Sequence, residues 1–172
     1  RSALDAVEAM NYMVNMMREH VPQETRIHYV ITDGGKAPNV VPDFAEVYYY
    51  SRHPSREVVR NVFDRIVLAA EGAAKGTETT MSYEIVNGVH ELLPNQILQT
   101  LVHESLSTVG GYTYTAEERA FAEKISKSLN RELNERVARE VAPYQEASRA
   151  YGSTDVGDVS FVVPTVGFGT AT

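Results

Sequence analysis

The sequence has no cysteine, no excess of positive charge and no long apolar run, and each shortage excludes a class of protein. Without cysteine, neither a disulfide nor thiolate chemistry is possible, and this composition suits a reducing, cytoplasmic compartment. Asp and Glu outnumber Lys and Arg by 23 to 16, and the net charge of −7 argues against a nucleic-acid or anionic-membrane partner. No stretch approaches the roughly 18 consecutive apolar residues that a membrane-spanning helix needs.

The chain of 172 residues, 43% of them apolar, is long enough for one ordinary domain or two small ones. Hydrophobic periodicity in the first half predicts the order α-β-β-α-β: a helix over 2–20, strands over 26–32 and 44–52, a helix from Ser55 to Gly72 or Gly76, and a strand over 78–87. One further strand in front would give β-α-β-β-α-β, the ferredoxin-like unit. We therefore predict an α/β (α+β) protein in which residues 1-90 form a ferredoxin-like domain without its first strand.

The second half, 91-172, has a different character. One predicted helix follows Pro94, and a second, begun by the T-x-x-E capping box at 115–118, carries apolar residues at every fourth position up to Val137. The final stretch, YGSTDVGDVSFVVPT, predicts a polar turn followed by a short apolar strand. Because two helices and one strand close a core poorly, we expect this half to be part of a larger α/β domain.

Few side chains point to a metal or a cofactor. None of the five histidines has a partner at metal-ligand spacing, and His28 suits a surface or interface position on the polar face of its strand. Gly34 and Gly35 lack the GxGxxG pattern of a dinucleotide loop and favour a hairpin connection. The segment STDVGD could hold a cation, but it lacks the ligand count of an EF-hand loop. A turn with Asp155 hydrogen-bonded to local backbone is favoured.

Two residues are candidates for binding a ligand. The stretch ITDGGKAPNVVPD, at 31–43, holds Asn39 between two prolines, beside a Val40-Val41 pair that looks buried. The amide of Asn39 offers both a donor and an acceptor. Arg52 closes the second predicted strand and can bind a carboxylate through two hydrogen bonds, although a surface salt bridge is the alternative. If Asn39 and Arg52 point the same way, they would bind a carboxylate and an adjacent carbonyl.

Three separated motifs carry a family resemblance. The segment GGKAPNVVPDFAEVYYYSR resembles the lid-domain signature of the aminoacylase/carboxypeptidase superfamily of dinuclear metallopeptidases: a small-residue loop, then Asn-Val-(Val/Ile)-Pro, then a strand that ends in Arg. Together with RSALDAVEAMNYMVNMMREHVP and GSTDVGDVSFVVPT, it is similar to one branch of that superfamily, the aminobenzoyl-glutamate utilization protein B group of amidohydrolases.

The resemblance implies an activity and a set of site residues. Members have an α/β catalytic domain that binds two divalent metal ions, zinc or manganese, and an inserted ferredoxin-like lid that forms the dimer interface. They hydrolyse an amide beside a carboxylate-bearing residue, such as p-aminobenzoyl-glutamate in folate catabolism, another N-acyl amino acid or a short peptide. By this correspondence Asn39 and Arg52 bind substrate and Asp155 supports the active site. The expected partner is a second copy of the chain, or a sister subunit.

The sequence also departs from the family pattern. The family's metal ligands and glutamate base precede the lid and are not in this sequence, its last metal-binding histidine would follow Thr172, and its lid histidine has no counterpart here. We therefore expect a fragment, the lid with part of the catalytic domain, that holds no catalytic residue or metal and is inactive alone. Two alternatives stay open: a non-catalytic dimerisation module, and a small carboxylate-binding domain that uses Asn39 and Arg52.

Overall fold

The computed structural model describes residues 1–146, 152 and 154–170. The chain divides into two compact units, which meet in the sequence between Glu91 and Leu92. Across the described ranges, no helix is both long and apolar enough to cross a membrane. The mixture of helices and strands confirms the predicted α/β (α+β) class, and both strands lie in the first unit.

The first unit contains two long helices and a β-ribbon. Helix α1 spans Ala3–Met17 and continues as a 3-10 turn over Arg18–His20, while helix α2 spans Arg56–Thr77. Between them, strands β1 (Arg26–Asp33) and β2 (Glu46–Arg52) pair antiparallel, with Arg26 opposite Arg52 at one end and Asp33 opposite Glu46 at the other. The first four predicted elements are therefore confirmed, with small shifts at their ends.

Local chemistry explains where α1 begins. The hydroxyl of Ser2 accepts a hydrogen bond from the backbone N–H of Asp5 at 3.2 Å, which satisfies one of the donors that a helix leaves unpaired at its start. The carboxylate of Asp5 in the first turn also suits the positive end of the helix dipole. Ser2 is thus the N-terminal cap of α1.

One apolar cluster holds the first unit together. Alternation along the strands sends Ile27 and Tyr49 towards the helices, while the opposite side of the ribbon is exposed. We call that exposed side the outer face; its residues are Arg26, His28, Val30 and Thr32 of β1 with Glu46, Tyr48, Tyr50 and Arg52 of β2. The cluster beneath the ribbon consists of five buried residues, Val14, Met17, Ile27, Val62 and Ile66.

The third predicted strand, over 78–87, is wrong. This segment follows α2 without pairing to either strand, and the ribbon has only β1 and β2 in the described chain. Its alternating residues do not share a buried face, because Tyr83 and Ile85 are 59% and 64% exposed. The ring of Tyr83 instead lies 5.7 Å from that of Phe63 on α2. Alternation alone does not make a strand, since a strand forms only where its backbone groups pair with those of a neighbouring strand.

The second unit is helical in its described part. Its helices are α3 (Gln96–Val109), α4 (Ala116–Ser128), α5 (Arg136–Arg139) and α6 (Val156–Ser160). The predicted capping box before α4 is confirmed, because Thr115 and Glu118 each accept a hydrogen bond from the other's backbone N–H. The bond from the Thr115 backbone lowers the pKa of the Glu118 carboxyl.

The long helix predicted up to Val137 is wrong. Helix α4 ends at Ser128, where Asn130 adopts a left-handed conformation with φ of 56°. The N–H of Asn130 bonds to the Lys127 carbonyl and that of Arg131 to the Ser126 carbonyl, which is the Schellman arrangement of a helix end. The four-residue apolar spacing continues past this point, but asparagine tolerates the left-handed turn that stops the helix.

The apolar strand predicted near the end of the sequence is also wrong. Residues Val156–Ser160 form helix α6, and the N–H groups of Val162 and Val163 both bond to the carbonyl of Val159. Ser160 is buried, accepts a hydrogen bond from Leu93 N–H and donates to Gly157. These local bonds satisfy the backbone without a strand partner.

Candidate functional site

The loop that joins β1 to β2 is shaped by its glycine and prolines. Gly35 has a φ of 104°, in the region that favours glycine, and a Cβ there would lie 2.7 Å from Cγ of Pro42. Its N–H donates to the side chain of Asp33 at 3.0 Å, while the carbonyl of Pro42 accepts from Ala3 N–H at 3.0 Å. The predicted hairpin connection is confirmed, and its far end is tied to the start of α1.

Asn39 sits at the tip of a tight turn within this loop. The N–H of Val40 bonds to the carbonyl of Ala37 at 3.1 Å, so Pro38 and Asn39 are the two central residues of a β-turn. Proline suits the first central position because its φ is already fixed near the required value. The neighbouring prolines therefore have a geometric role, and they present the exposed amide of Asn39.

An open cleft lies beside Asn39. Its volume is about 590 Å³, and it is lined by the loop from Gly34 to Pro42 together with Ser2, Leu4 and Asp5 at the start of α1. The expectation of a buried valine pair is wrong, because Val40 is 56% exposed and Val41 is 65% exposed. Backbone hydrogen bonds anchor this loop, and the two valine side chains project from it.

Arg52 lies at the opposite end of the ribbon. It is the last residue of β2 and faces Arg26 across the strands, on the outer face. One terminal nitrogen of Arg26, Nη1, donates to the carbonyls of Gln23 at 2.7 Å and Thr25 at 2.8 Å. Sequence reasoning passed over Arg26, although the pairing register would have placed it beside Arg52.

The turn after Arg52 is held by a histidine. Nδ1 of His53 accepts a hydrogen bond from Ser55 N–H at 2.9 Å, and its Nε2 lies 3.9 Å from a carboxylate oxygen of Glu24. The His53 side chain is only 11% exposed. The sequence predicts that a strand ends at 52 and a helix begins at Ser55, but it does not predict this support for the turn between them.

The structure does not bring Asn39 and Arg52 together within one chain. Arg52 lies six residue steps along β2 from Glu46, which corresponds to about 20 Å, and Asn39 lies beyond the Glu46 end. One small ligand therefore cannot contact both residues of the same chain. The shared site considered from the sequence is not formed inside a single protomer.

Asp155 lies in the second unit, just before α6. Its backbone carbonyl accepts from Asp158 N–H at 3.1 Å, but its side chain makes no capping bond. The hydroxyl of Thr154 accepts from Val156 N–H instead, at 3.2 Å. The predicted turn is present, but its bonds come from the backbone carbonyl of Asp155 and the hydroxyl of Thr154, and not from a side-chain cap by Asp155. Ser153 of the same motif lies outside the described residues.

The described residues do not fit a dinuclear metal centre. Nowhere in 1–146, 152 and 154–170 do three His, Asp or Glu side chains gather closely enough to hold an ion. A pair of divalent ions needs several such ligands. No catalytic step through a metal is therefore derived from these residues.

Comparison with known proteins gives a family match within the first unit. The family described as "Peptidase dimerisation domain" matches residues 1–78, which cover α1, the ribbon and α2. Residues 1–78 are therefore similar to a peptidase dimerisation domain. The superfamily resemblance carried by the lid motif is confirmed, and the chain is a relative of these peptidases.

Individual relatives agree with this assignment. The chain is 37% identical to one of the subunits of p-aminobenzoyl-glutamate hydrolase of Escherichia coli (strain K12), over 95% of its own length and 40% of that protein. It is 26% and 29% identical to the Xaa-Arg dipeptidases of Mus musculus and Homo sapiens, again over 95% of its length and over 32% and 31% of theirs. The chain thus spans two fifths or less of these relatives, all of which are named as hydrolases or peptidases.

Proposed function

We propose that the protein to which this chain belongs hydrolyses an amide bond beside a carboxylate-bearing amino acid, as in p-aminobenzoyl-glutamate. The observation that carries the proposal is the 37% identity to the Escherichia coli p-aminobenzoyl-glutamate hydrolase over 95% of the chain. In this proposal residues 1-90 are the lid and dimerisation domain, and residues 91-172 belong to a catalytic domain. The two divalent ions, zinc or manganese, would be held by residues other than those described.

Asn39 and Arg52 are the substrate-binding residues of this proposal, and Asp155 supports the catalytic domain. A guanidinium at a strand end can bind a substrate carboxylate through two charge-assisted hydrogen bonds. The amide of Asn39, presented at a turn tip, can donate to a substrate carbonyl. Because about 20 Å of strand separates the two, they serve one substrate only if they come from different protomers.

A homodimer satisfies that requirement. In a two-fold dimer the single interface pairs the same surface of both protomers, so every contact occurs twice and each of two equivalent sites would contain Asn39 of one protomer and Arg52 of the other. The match of residues 1–78 to a dimerisation domain supports this arrangement. Light scattering on the full-length protein should give the mass of a dimer, and a monomer would contradict the proposal.

The first experiment is an assay of the full-length protein on p-aminobenzoyl-glutamate, with zinc or manganese supplied and then removed by a chelator. Asn39→Ala and Arg52→Ala should each lower kcat/KM on the order of 100-fold, because each removes a hydrogen bond to a charged or polarised group. The isolated 172-residue chain should show no turnover. Turnover by that chain, or full activity of both variants, would contradict the proposal.

Mixing the two inactive variants tests the shared site. Random mixing makes half of the dimers mixed, and each mixed dimer has one intact site, so roughly a quarter of wild-type activity should return. If both residues act within one protomer, every site in the mixture carries a defect and activity stays at the level of the separate variants.

A further inference from the structure

The loop between β1 and β2, residues 34–45, has a defined shape without an apolar core of its own. None of the residues from 34 to 45 is buried, and an open cleft of about 590 Å³ lies against the loop. Burial of apolar surface is the main stabilising term for most parts of a protein. Since this loop lacks it, hydrogen bonds and backbone conformation must hold the loop in place.

Two hydrogen bonds fix the base of the loop. On the β1 side, Oδ1 of Asp33 accepts from the backbone N–H of Gly35 at 3.0 Å, which is the Asx turn that aspartate and asparagine form. On the β2 side, the carbonyl of Pro42 accepts from Ala3 N–H at 3.0 Å. Only the first bond uses a side chain, so only that bond can be removed by a substitution that leaves the backbone groups intact.

Gly35 is where the two sides of the loop meet. A Cβ on this residue would lie 2.7 Å from Cγ of Pro42, closer than packed carbon atoms come, and its φ of 104° also favours glycine. The Asp33 side chain holds the amide of this same glycine. The bond therefore restrains the point at which the outgoing and returning halves of the loop are in contact.

Asn39 depends on this base for its direction. It lies four residues after Gly35 and three before Pro42, at the tip of the loop. Its own turn has one backbone bond, from Val40 N–H to the carbonyl of Ala37 at 3.1 Å. That bond sets the local shape of the turn, but the direction in which the turn points away from the ribbon is set where the loop begins and ends.

We propose that Asp33 is a positioning residue for Asn39, acting through its bond to the Gly35 amide. This rests on the proposed function, in which the amide of Asn39 donates to a substrate carbonyl, and it adds the residue that keeps this amide in place. A donor held in position needs no rearrangement when charge develops on the carbonyl oxygen. Without the Asp33 bond the loop would adopt several conformations, and activity would fall with the fraction that remains competent.

The first test measures the full-length protein on p-aminobenzoyl-glutamate. Asp33→Ala should lower kcat/KM about tenfold, with the same division between kcat and KM as Asn39→Ala shows. Asp33→Asn keeps an acceptor oxygen in the Asx turn and should stay within about twofold of wild type. Asp43→Ala removes an exposed carboxylate at the other end of the loop; it is the matched control and should leave kcat/KM unchanged.

Gly35→Ala tests the same base by a different route. The added Cβ would meet the ring of Pro42 and strain a left-handed backbone, so kcat/KM should fall at least as far as in Asp33→Ala. Gly88→Ala is the control, because a Cβ at that glycine meets nothing within 4 Å. The bond of Asp33 is exposed, so the Asp33 variants should keep the thermal unfolding temperature within about 2 °C of wild type.

A double variant distinguishes positioning from a general structural role. If Asp33 acts through Asn39, its removal has nothing left to affect once the Asn39 amide is gone. Asp33→Ala combined with Asn39→Ala should therefore be no slower than Asn39→Ala alone. A loss that acts by any other route would multiply, and the double variant would be about tenfold slower than Asn39→Ala.

Each outcome bears on either this inference or the proposed function. If Asn39→Ala keeps full activity, the proposed role of Asn39 fails. If Asn39→Ala is impaired but Asp33→Ala is not, if the two losses multiply, or if Asp33→Asn is as slow as Asp33→Ala, the inference is wrong and the proposed function stands. If Asp33→Ala does not fold, Gly35→Ala decides, and full activity or a loss that multiplies with Asn39→Ala would overturn the inference.

Discussion

Each of the two compact units is stabilised internally by a different kind of contact. In Arg1–Glu91, α1, α2 and the ribbon enclose a cluster whose members are between 0% and 9% exposed. In the second unit, neither α3 nor α4 contains a buried residue, and Ile97 and Phe121 are 82% and 67% exposed. Burial of apolar surface is the main stabilising term in folding, so the first unit should carry most of the chain's stability.

The second unit has close contacts of another type. Gly111 packs so tightly on α5 that a Cβ would lie 2.3 Å from the carbonyl oxygen of Arg139, and Tyr112 N–H bonds to Ala138 at 3.0 Å. A carboxylate oxygen of Glu135 bonds to both Arg119 and Arg139 at 2.9 Å. These contacts fix geometry, but none buries much apolar area. A helical stripe of apolar residues therefore predicts a helix without predicting that the stripe is covered.

The largest expected effect comes from cutting into the first cluster. Ile66 is 5% exposed, and Ile66→Ala should lower the free energy of unfolding by about 2–5 kcal/mol through lost burial and the cavity left behind. Urea unfolding of the 172-residue chain gives this value, and hydrogen exchange assigns it to α1, α2 and the ribbon.

The matched control lies in the second unit. Ile125 on α4 is 42% exposed, so Ile125→Ala should cost less than about 1 kcal/mol. Equal losses of unfolding free energy for the two isoleucine variants would contradict this difference between the units, because they would mean that the apolar stripe of α4 is covered in solution.

The first unit was more predictable from sequence than the second for a physical reason. The periodicity of α1 and α2 reflects burial of these helices against each other and against Ile27 of β1, in the cluster around Val14 and Val62. In the second unit, the four-residue apolar spacing continues past Ser128, where helix α4 ends. The Schellman turn at Asn130 depends on backbone bonds that a count of apolar residues does not capture.

The candidate residues could be proposed from the sequence one by one, and their binding roles stay predictions, but their arrangement could not be predicted. Asn39 and Arg52 were recognisable from the types and spacing of the lid motif, yet their positions at opposite ends of the ribbon depend on strand register. Arg26 and His53 gave no signal of their own. Strand pairing places Arg26 beside Arg52, and the turn after β2 places the ring of His53 next to Ser55.

An intermediate effect is expected at the polar contact beneath the ribbon. The hydroxyl of Tyr49 donates to the side-chain carbonyl of Asn11, which is 5% exposed. Tyr49→Phe should cost about 1–3 kcal/mol, because it leaves a buried acceptor without its donor. Tyr12→Phe, on the exposed side of α1, should be close to neutral in the same urea titration.

Tyr49 should also make the free energy of unfolding depend on pH. Burial, and then the charge of Tyr29, raises the pKa of Tyr49 above its ordinary value of 10.0. The folded state therefore holds this proton more tightly than the unfolded state, and the resulting stability is complete below about pH 10 and is lost as pH rises through the folded-state pKa. Above about pH 10, the unfolding free energy should fall more steeply for wild type than for Tyr49→Phe. Parallel curves would show that Tyr49 is not buried in solution.

The smallest effect is expected at the ion pairs of Glu135, which are the most conspicuous polar contacts of the second unit. The Arg119 and Arg139 side chains are 44% and 48% exposed, so solvent and salt screen both pairs. Glu135→Gln keeps the side-chain shape and should cost no more than about 1 kcal/mol, with less difference from wild type at about 1 M salt than at low salt. Arg136→Gln, which removes the exposed pair with Glu140, is the control for a pair outside this network. If Glu135→Gln lowered the free energy of unfolding as much as Ile66→Ala does, ion pairs would stabilise the second unit as strongly as the apolar cluster stabilises the first. The two units would then differ in the chemistry of their contacts but not in stability.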